Sequence, residues 1–217
     1  MNMLAFAINA AEKAPLSDAL TLTGINFLCN RTKRRLEKVP FDEELNFARD
    51  MATFPVATHT DEANRQHYEV PAEFFALVLG PQRKYSSCFY PSATTTLADA
   101  ETAALAETVK HADVQDGMDI LELGCGWGSL SLYLARQFPN ARITSVSNSS
   151  SQRAYILAQA ARNDITNLTV VTADMNDFAP DGIYDRIVSV EMFEHMSNWR
   201  ALFERTRGWL KQDGKLF

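Results

Sequence analysis

The chain has 217 residues, 46% of them apolar and 22% charged, with a formal net charge of −6. These are the proportions of an ordinary globular protein, long enough for one large domain or for one domain with a small appendage. The acidic balance speaks against general nucleic-acid binding, and no apolar run reaches the ~20 residues that span a bilayer.

Met1 to Ala11 is apolar without a basic n-region, so no signal peptide is expected. Cys29, Cys88 and Cys125 are scattered, without metal-type spacing. The expectation is a cytoplasmic protein with no metal, no nucleic-acid partner and no stable membrane insertion; a homodimer is compatible with it. The first ninety residues read as helical and irregular. Ser17-Asp18 is placed to cap a helix carrying Leu20, Leu22, Ile25 and Leu28, which runs into the basic stretch Arg31, Lys33, Arg34, Arg35 and Lys38. That stretch is either a solvated face or a contact for phosphate headgroups. Pro40 stops the helix, and Phe41 to Met51 starts another with acids in its first turn. Pro71 opens a short apolar helix, Ala72 to Leu79, closed by Gly80-Pro81. Lys84 to Tyr90 reads K-Y-S-S-C-F-Y. Either Tyr85, Phe89 and Tyr90 pack onto the sheet domain, or Tyr85 and Ser86 form a lid over a ligand. Thr94 to Thr96 lead into a long amphipathic helix with Leu97, Leu105 and Val109, and Asp116-Gly117 turns into the first strand.

From there strands and helices alternate. Strand Ile120 to Leu123 precedes helix Ser129 to Gln137, and strand Arg142 to Val146 precedes helix Ser150 to Arg162. Strand Leu168 to Thr172 is followed by Ala173 to Gly182, too short for a full helix. Strand Arg186 to Val190 precedes helix Asn198 to Leu210, after which Asp213-Gly214 turns into a fifth strand at Lys215. This pattern predicts an α/β fold, a doubly wound parallel sheet with a helical N-terminal extension.

Asp119 to Gly128, D-I-L-E-L-G-C-G-W-G, carries the strongest signal. A strand runs into three alternate glycines and then a helix N-terminus, a combination that lets a nucleotide-like ligand lie against backbone N–H groups. The spacing is G-x-G-x-G, with Ser129 where a dinucleotide fingerprint would have glycine. The next strand ends in Ser147-Asn148 rather than an acid, which also argues against a dinucleotide.

Ligands of such sheets sit at the carboxyl ends of the strands. Those ends supply Glu122 and Gly124 to Gly128, then Ser147, Asn148 and Gln152, then Asp174 and Met175, then Val190 and Glu191. Asp174 is placed to accept from an exocyclic amine such as that of adenine. Glu191 to Met196 reads E-M-F-E-H-M. If it forms one helical turn, Glu191, Glu194 and His195 share a face, an electronegative group suited to an ammonium ion and to taking its proton. The alternative is a solvated helix start.

The motifs K-Y-S-S-C-F-Y, L-E-L-G-C-G-W-G-S-L, S-N-S-S-S-Q-R-A-Y, Y-D-R-I-V-S-V-E-M-F-E-H-M and W-L-K-Q-D-G-K-L-F resemble the cyclopropane fatty acid synthase-like superfamily of S-adenosylmethionine-dependent methyltransferases. Within it the chain looks most like the small-molecule branch typified by coclaurine N-methyltransferase. The likeness covers roughly residues 65 to 217 and implies a Rossmann-like class I methyltransferase fold, with residues 1–90 as extension and cofactor lid and 91–217 as core. It implies that Tyr85 and Ser86 cap the cofactor, that Gly124 and Gly126 pass beneath its methionine part, and that Asn148 and Gln152 meet the ribose. Asp174 and Met175 would meet the adenine, Val190 would adjoin the cofactor, and Glu191, Glu194 and His195 would act on the acceptor. The implied reaction is methyl transfer to the nitrogen of a small-molecule amine. Lipid cyclopropanating relatives carry Y-S-C where this chain has Tyr85-Ser86-Ser87, which places a lipid acceptor second. Members also continue beyond the fifth strand through a closing antiparallel pair, so the resemblance implies a sheet incomplete on its C-terminal side. A third reading follows, an inactive truncated cofactor-binding fragment.

Overall fold

The computed structural model describes residues 16–58, 60 and 72–217. The apolar start Met1 to Ala11 and the helix-opening Pro71 lie outside them. By packing, the chain divides between Arg49 and Asp50 into two units. In the first, helix α1 (Asp18–Leu36) begins where the sequence places it, but the Ser17 side chain makes no capping hydrogen bond. The Ser17 carbonyl accepts from the Leu20 and Thr21 N–H groups instead. Lys33, Arg34 and Arg35 fall in the last turn of α1, where cations offset the dipole. Helix α2 (Glu43–Asp50) opens on Glu43 and Glu44.

The second unit starts with a 3₁₀ turn, Met51–Thr53, and continues through α3 (Ala72–Val78) and α4 (Leu97–His111). Thr96 caps α4 by accepting from the Asp99 N–H at 3.2 Å. The alternating part follows as β1 (Asp119–Leu123), α5 (Ser129–Gln137), β2 (Arg142–Ser147), α6 (Ser150–Arg162), β3 (Leu168–Thr172), β4 (Tyr184–Ser189), α7 (Trp199–Trp209) and β5 (Leu210–Leu216). The pairings within this sheet are parallel, in the order β3-β2-β1-β4-β5.

A strand buried on both faces needs cover on both. Ile120, Leu121 and Leu123 of β1 are each fully buried, and neighbouring positions point to opposite layers. Ile120, with Ile143 and Val188, meets Leu105 of α4 and Leu130 and Leu134 of α5. On the same side, Ile156 and Ala160 of α6 pack with Val170 and Leu132. Leu121, Val146 and Ile187 meet Leu202 of α7 on the other side. The sheet is doubly wound, and its order reverses between β1 and β4. The crevice at their carboxyl ends is where such folds hold ligands.

Most boundaries fall within one or two residues of the sequence reading, β4 running from Tyr184 to Ser189 rather than from Arg186 to Val190, and two of the differences have a clear physical cause. Asn198 is the cap of α7 rather than its first residue: its side chain accepts from the Ala201 N–H at 3.0 Å and donates to the Phe54 carbonyl at 2.8 Å. The fifth strand starts at Leu210, not Lys215. Leu210 pairs with Tyr184 and Lys215 with Arg186, so the expected Asp213-Gly214 turn is a bulge inside β5. Within it Lys211 bridges the Asp119 and Asp185 carboxylates at 2.9 and 2.7 Å.

Candidate cofactor and acceptor site

The glycine loop follows from the end of β1. The Gly124 and Cys125 N–H groups both donate to the Val146 carbonyl, at 3.0 and 2.9 Å, which ties the loop to β2. Gly128 caps α5 at a φ of +78°, and a Cβ there would lie 2.5 Å from Ile156. Gly128 therefore serves close helix packing. Gly126 also has a left-handed φ, +52°, but a Cβ there would meet no atom within 4 Å. It faces open space.

That space is a cavity of about 400 Å³ at the carboxyl ends of the strands. Tyr85, Ser86, Gly124, Gly126, Asn148, Gln152, Asp174, Met175 and Val190 all line it, as do Glu191 and His195. Glu194 does not: it is exposed and outside the wall. The single helical turn expected over Glu191 to His195 is not formed. Glu191 sits at a φ of +54°, and a 3₁₀ turn begins only at Phe193. A left-handed residue redirects the chain before the turn starts, so Glu191 and Glu194 do not share a helix face. The Glu191 carboxylate instead accepts from the Ser87 N–H at 3.4 Å, joining the β4 loop to the strap of residues 80–88.

The strap is fastened at several points. Glu101, fully buried on α4, accepts from the Gln82 and Lys84 N–H groups at 2.8 and 3.0 Å. The Arg83 guanidinium lies 3.9 Å over the Tyr155 ring. Tyr85 meets Phe75 edge-on at 5.1 Å, and Phe75 in turn packs on Trp127 of the glycine loop. Tyr85, Phe89 and Tyr90 are each about half exposed, and of the three it is the Tyr85 ring that meets Phe75 in this cluster.

Sequence reasoning missed two contributors, Lys84 and the segment around Ala57. Lys84 is buried in the wall, as is Glu122, which the strand-end reading placed there. Ala57 and Thr58 also line it, and their segment is held in place: the Ala57 N–H donates to Asn176 at 3.0 Å, and the Ser197 N–H donates to the Val56 carbonyl at 2.8 Å. The glutamate lay in plain view inside L-E-L-G. Pairing of segments more than a hundred residues apart leaves no local signal. Among the described residues, no cation pairs with Glu122. Burial pushes its carboxyl up to about 7, although Ser131 and Ser145 hydroxyls donate to it.

The wall fits a ligand with a nucleoside end. Gln152 is 1% exposed; its Oε1 accepts from Ser147 at 2.6 Å, and its Nε2 has no partner among the described residues. The buried indole Nε1 of Trp127 is likewise unsatisfied. Buried donors without acceptors are costly unless a ligand supplies them. With Gly126 open to the same space, the residues present suit S-adenosylmethionine.

The strand order, the G-x-G-x-G loop after β1 and the cavity over the switch point define a Rossmann-like fold of the class I methyltransferase type. Residues 56–217 match the family model described as mycolic acid cyclopropane synthetase, and the chain belongs to that family. It is 36% identical over 191 residues to (S)-coclaurine N-methyltransferase of Thalictrum flavum subsp. glaucum, covering 85% of this chain and 53% of that one. A crystal structure of coclaurine N-methyltransferase bound to N-methylheliamine and SAH superposes with a TM-score of 0.80 at 34% identity, covering 88% of this chain and 57% of that one. The mycolic acid cyclopropane synthase CmaA1, complexed with SAH and CTAB, gives a TM-score of 0.67 at 26% identity, covering 74% and 56%. The chain thus spans about half the length of the relatives it matches. Among the described residues, no helix is long and apolar enough to cross a membrane.

Proposed function

We propose that this protein transfers a methyl group from S-adenosylmethionine to the nitrogen of a small-molecule amine. The observation that carries the reading is the convergence of the glycine loop, the unpaired Gln152 amide and the Glu191–His195 loop on one cavity. When bound, S-adenosylmethionine supplies an electrophilic methyl group on a sulfonium sulfur. Tyr85 and Ser86 would cover it, Gly124 and Gly126 would hold its methionine part, and Val190 would adjoin it. Asn148 and Gln152 would hold the ribose, and Asp174 and Met175 the adenine.

An amine is mostly protonated near neutral pH and then has no lone pair to attack with. His195 accepts that proton, directly or through water, while Glu191 draws the ammonium into the cavity. The freed nitrogen lone pair would then be the nucleophile for that methyl group, with the carbon–sulfur bond broken and S-adenosylhomocysteine as the leaving group. Glu194, outside the wall, contributes only charge at the rim. Met175, Met192 and Met196 line the cavity and offer a soft apolar surface to a ring-bearing amine. The names of the similar N-methyltransferases point to the same acceptor class. In this reading residues 1–90 are the extension and lid, residues 91–217 the core, and the protein works in the cytoplasm.

A lipid acceptor is the second reading. The family description and the CmaA1 likeness favour it, and Ser87 in place of the cyclopropanating cysteine disfavours it. Titration calorimetry with S-adenosylhomocysteine, followed by transfer of labelled methyl to a panel of amines including coclaurine and heliamine, tests both. His195→Ala should lower turnover by about 10²–10⁴-fold and leave S-adenosylhomocysteine affinity within about twofold. Undiminished turnover in that variant would remove the base, absence of binding by the wild type would remove the cofactor, and labelling of phospholipid vesicles but no amine would favour the lipid reading.

A further inference from the structure

The reaction above leaves the cation Lys84 in the cavity wall without a role. Lys84 is 6% exposed, and its side chain reaches the cavity beside Ser86. An ammonium has three N–H donors. One goes to the Ser86 hydroxyl and one to the Ser87 carbonyl at 2.7 Å. Both acceptors are neutral. Among the described residues, no carboxylate lies within ion-pair distance of Nζ. The third N–H is left over.

A cation buried among neutral oxygens is costly, and an arriving anion would offset that cost. The effect shows in its proton affinity. Burial pulls the Lys84 pKa below its ordinary value, even though Cys88, Glu191 and Glu101 act in the opposite direction. Glu101 is committed to the Gln82 and Lys84 backbone, and Glu191 to the Ser87 N–H.

Position indicates which anion. Asn148, Gln152 and Asp174 follow β2 and β3, on one side of β1; Lys84 and the strap lie by Glu191, which follows β4 on the other side. A ligand whose nucleoside end meets the first group extends its other end across the glycine loop towards Lys84. In S-adenosylmethionine that end is an α-amino acid.

We propose that Lys84 forms a charge-assisted hydrogen bond with the α-carboxylate of the cofactor, using the N–H that Ser86 and Ser87 leave over. This rests on the S-adenosylmethionine reading above. It makes the lysine a binding residue for the cofactor's amino-acid end, whereas a purely structural Lys84 would only fasten Ser86 and Ser87 in the strap.

The test uses two ligands, S-adenosylhomocysteine and its decarboxylated analogue, which keeps the amine and lacks the carboxylate. Titration calorimetry on wild type and Lys84→Met gives four affinities. The wild type should bind S-adenosylhomocysteine roughly 10- to 100-fold more tightly than the analogue, the range of one hydrogen bond to a charged group. Lys84→Met should lose that factor for S-adenosylhomocysteine and bind the analogue within about twofold of wild type. Equal losses for both ligands would reduce Lys84 to a strap fastener and overturn the proposal, as would no loss for either. If Lys84→Met does not fold, the wild-type pair still decides, because indifference to the carboxylate overturns the proposal. No binding of S-adenosylhomocysteine by wild type would overturn the cofactor reading itself, a result distinct from weak discrimination between two bound ligands.

Discussion

At the scale of single residues, the glycine loop separates two jobs that one motif hides. Gly128 and Gly126 both hold a left-handed φ, so an alanine at either costs about 1–2 kcal/mol in backbone strain. Gly128→Ala adds a collision, since its Cβ would sit 2.5 Å from Ile156, which is fully buried. Overpacking of that kind adds about 1–3 kcal/mol, and urea unfolding should show the two losses together. Gly126→Ala meets no protein atom and should lose only the backbone share. Its Cβ would instead enter the cavity, and S-adenosylhomocysteine affinity should fall at least about tenfold in calorimetry. Equal stability losses in the two variants, or unchanged affinity in Gly126→Ala, would show that the loop does not divide its work in this way. The glycines themselves were legible in the sequence, and the pattern was enough to place a ligand. Which glycine faces it was not, because that depends on Ile156 of α6 arriving over Gly128.

At the scale of elements, the strap depends on α4. Glu101 is fully buried and its carboxylate accepts the N–H groups of Gln82 and Lys84, while a Cβ at Gly80 would lie against the same carboxylate. Removing the acceptors strands two backbone donors, at about 1–3 kcal/mol each if they stay buried. The strap has a cheaper response, which is to detach. Glu101→Ala should therefore speed hydrogen exchange at the Gln82 and Lys84 amides and weaken S-adenosylhomocysteine binding, with α4 still protected. Unchanged exchange at both amides would mean that the other fastenings, the stacking of Arg83 on Tyr155 and the bond from Ser87 to Glu191 among them, hold the strap without Glu101. Elements with local punctuation were readable: α5 and α6 have the expected bounds, the first after Gly128 and the second after Ser149, whose hydroxyl accepts from the Gln152 N–H. β3, β-branched from Thr169 to Thr172, has the expected bounds too. β5 was not readable, because its bulge carries Asp213-Gly214, residues that normally end a strand. The Glu191 conformation was unreadable for the opposite reason: a left-handed glutamate leaves no compositional trace. The strap's fastening escaped as well, since Glu101 looks like any acid on a helix until its long-range partners are known.

At the scale of the whole molecule, the two ends of the sheet respond to pH in opposite directions. At the amino ends of the strands, carboxylates are paired: Asp119 with Arg142 at 2.6 Å and Lys211 at 2.9 Å, and Asp113 with Lys215 and Arg186, each at 2.8 Å. The hydrogen bond from Arg142 foremost holds Asp119 below the usual carboxylate range, and that from Lys215 does the same for Asp113. Such groups add stability above their unfolded pKa and lose it as pH falls through the folded value. At the carboxyl ends, Glu122 behaves oppositely. Burial raises it from 4.5 to about 7, so between those values the folded chain binds more protons than the unfolded one. Stability must then fall as pH rises across that window, and the loss persists above it. For a fully buried carboxyl the loss is on the order of 3 kcal/mol at most. Glu122→Gln keeps the shape and removes the titration. Unfolding measured from pH 4.5 to 7 should move in the variant's favour by up to about 3 kcal/mol relative to wild type. Below the window the difference should level off, because both side chains are then neutral. Asp119→Asn should instead flatten the loss of stability below about pH 4 and leave the higher window untouched. A wild-type minus Glu122→Gln difference that stays constant from pH 4.5 to 7 would mean that Glu122 is already ionised in the folded protein, with the Ser131 and Ser145 hydroxyls outweighing its burial.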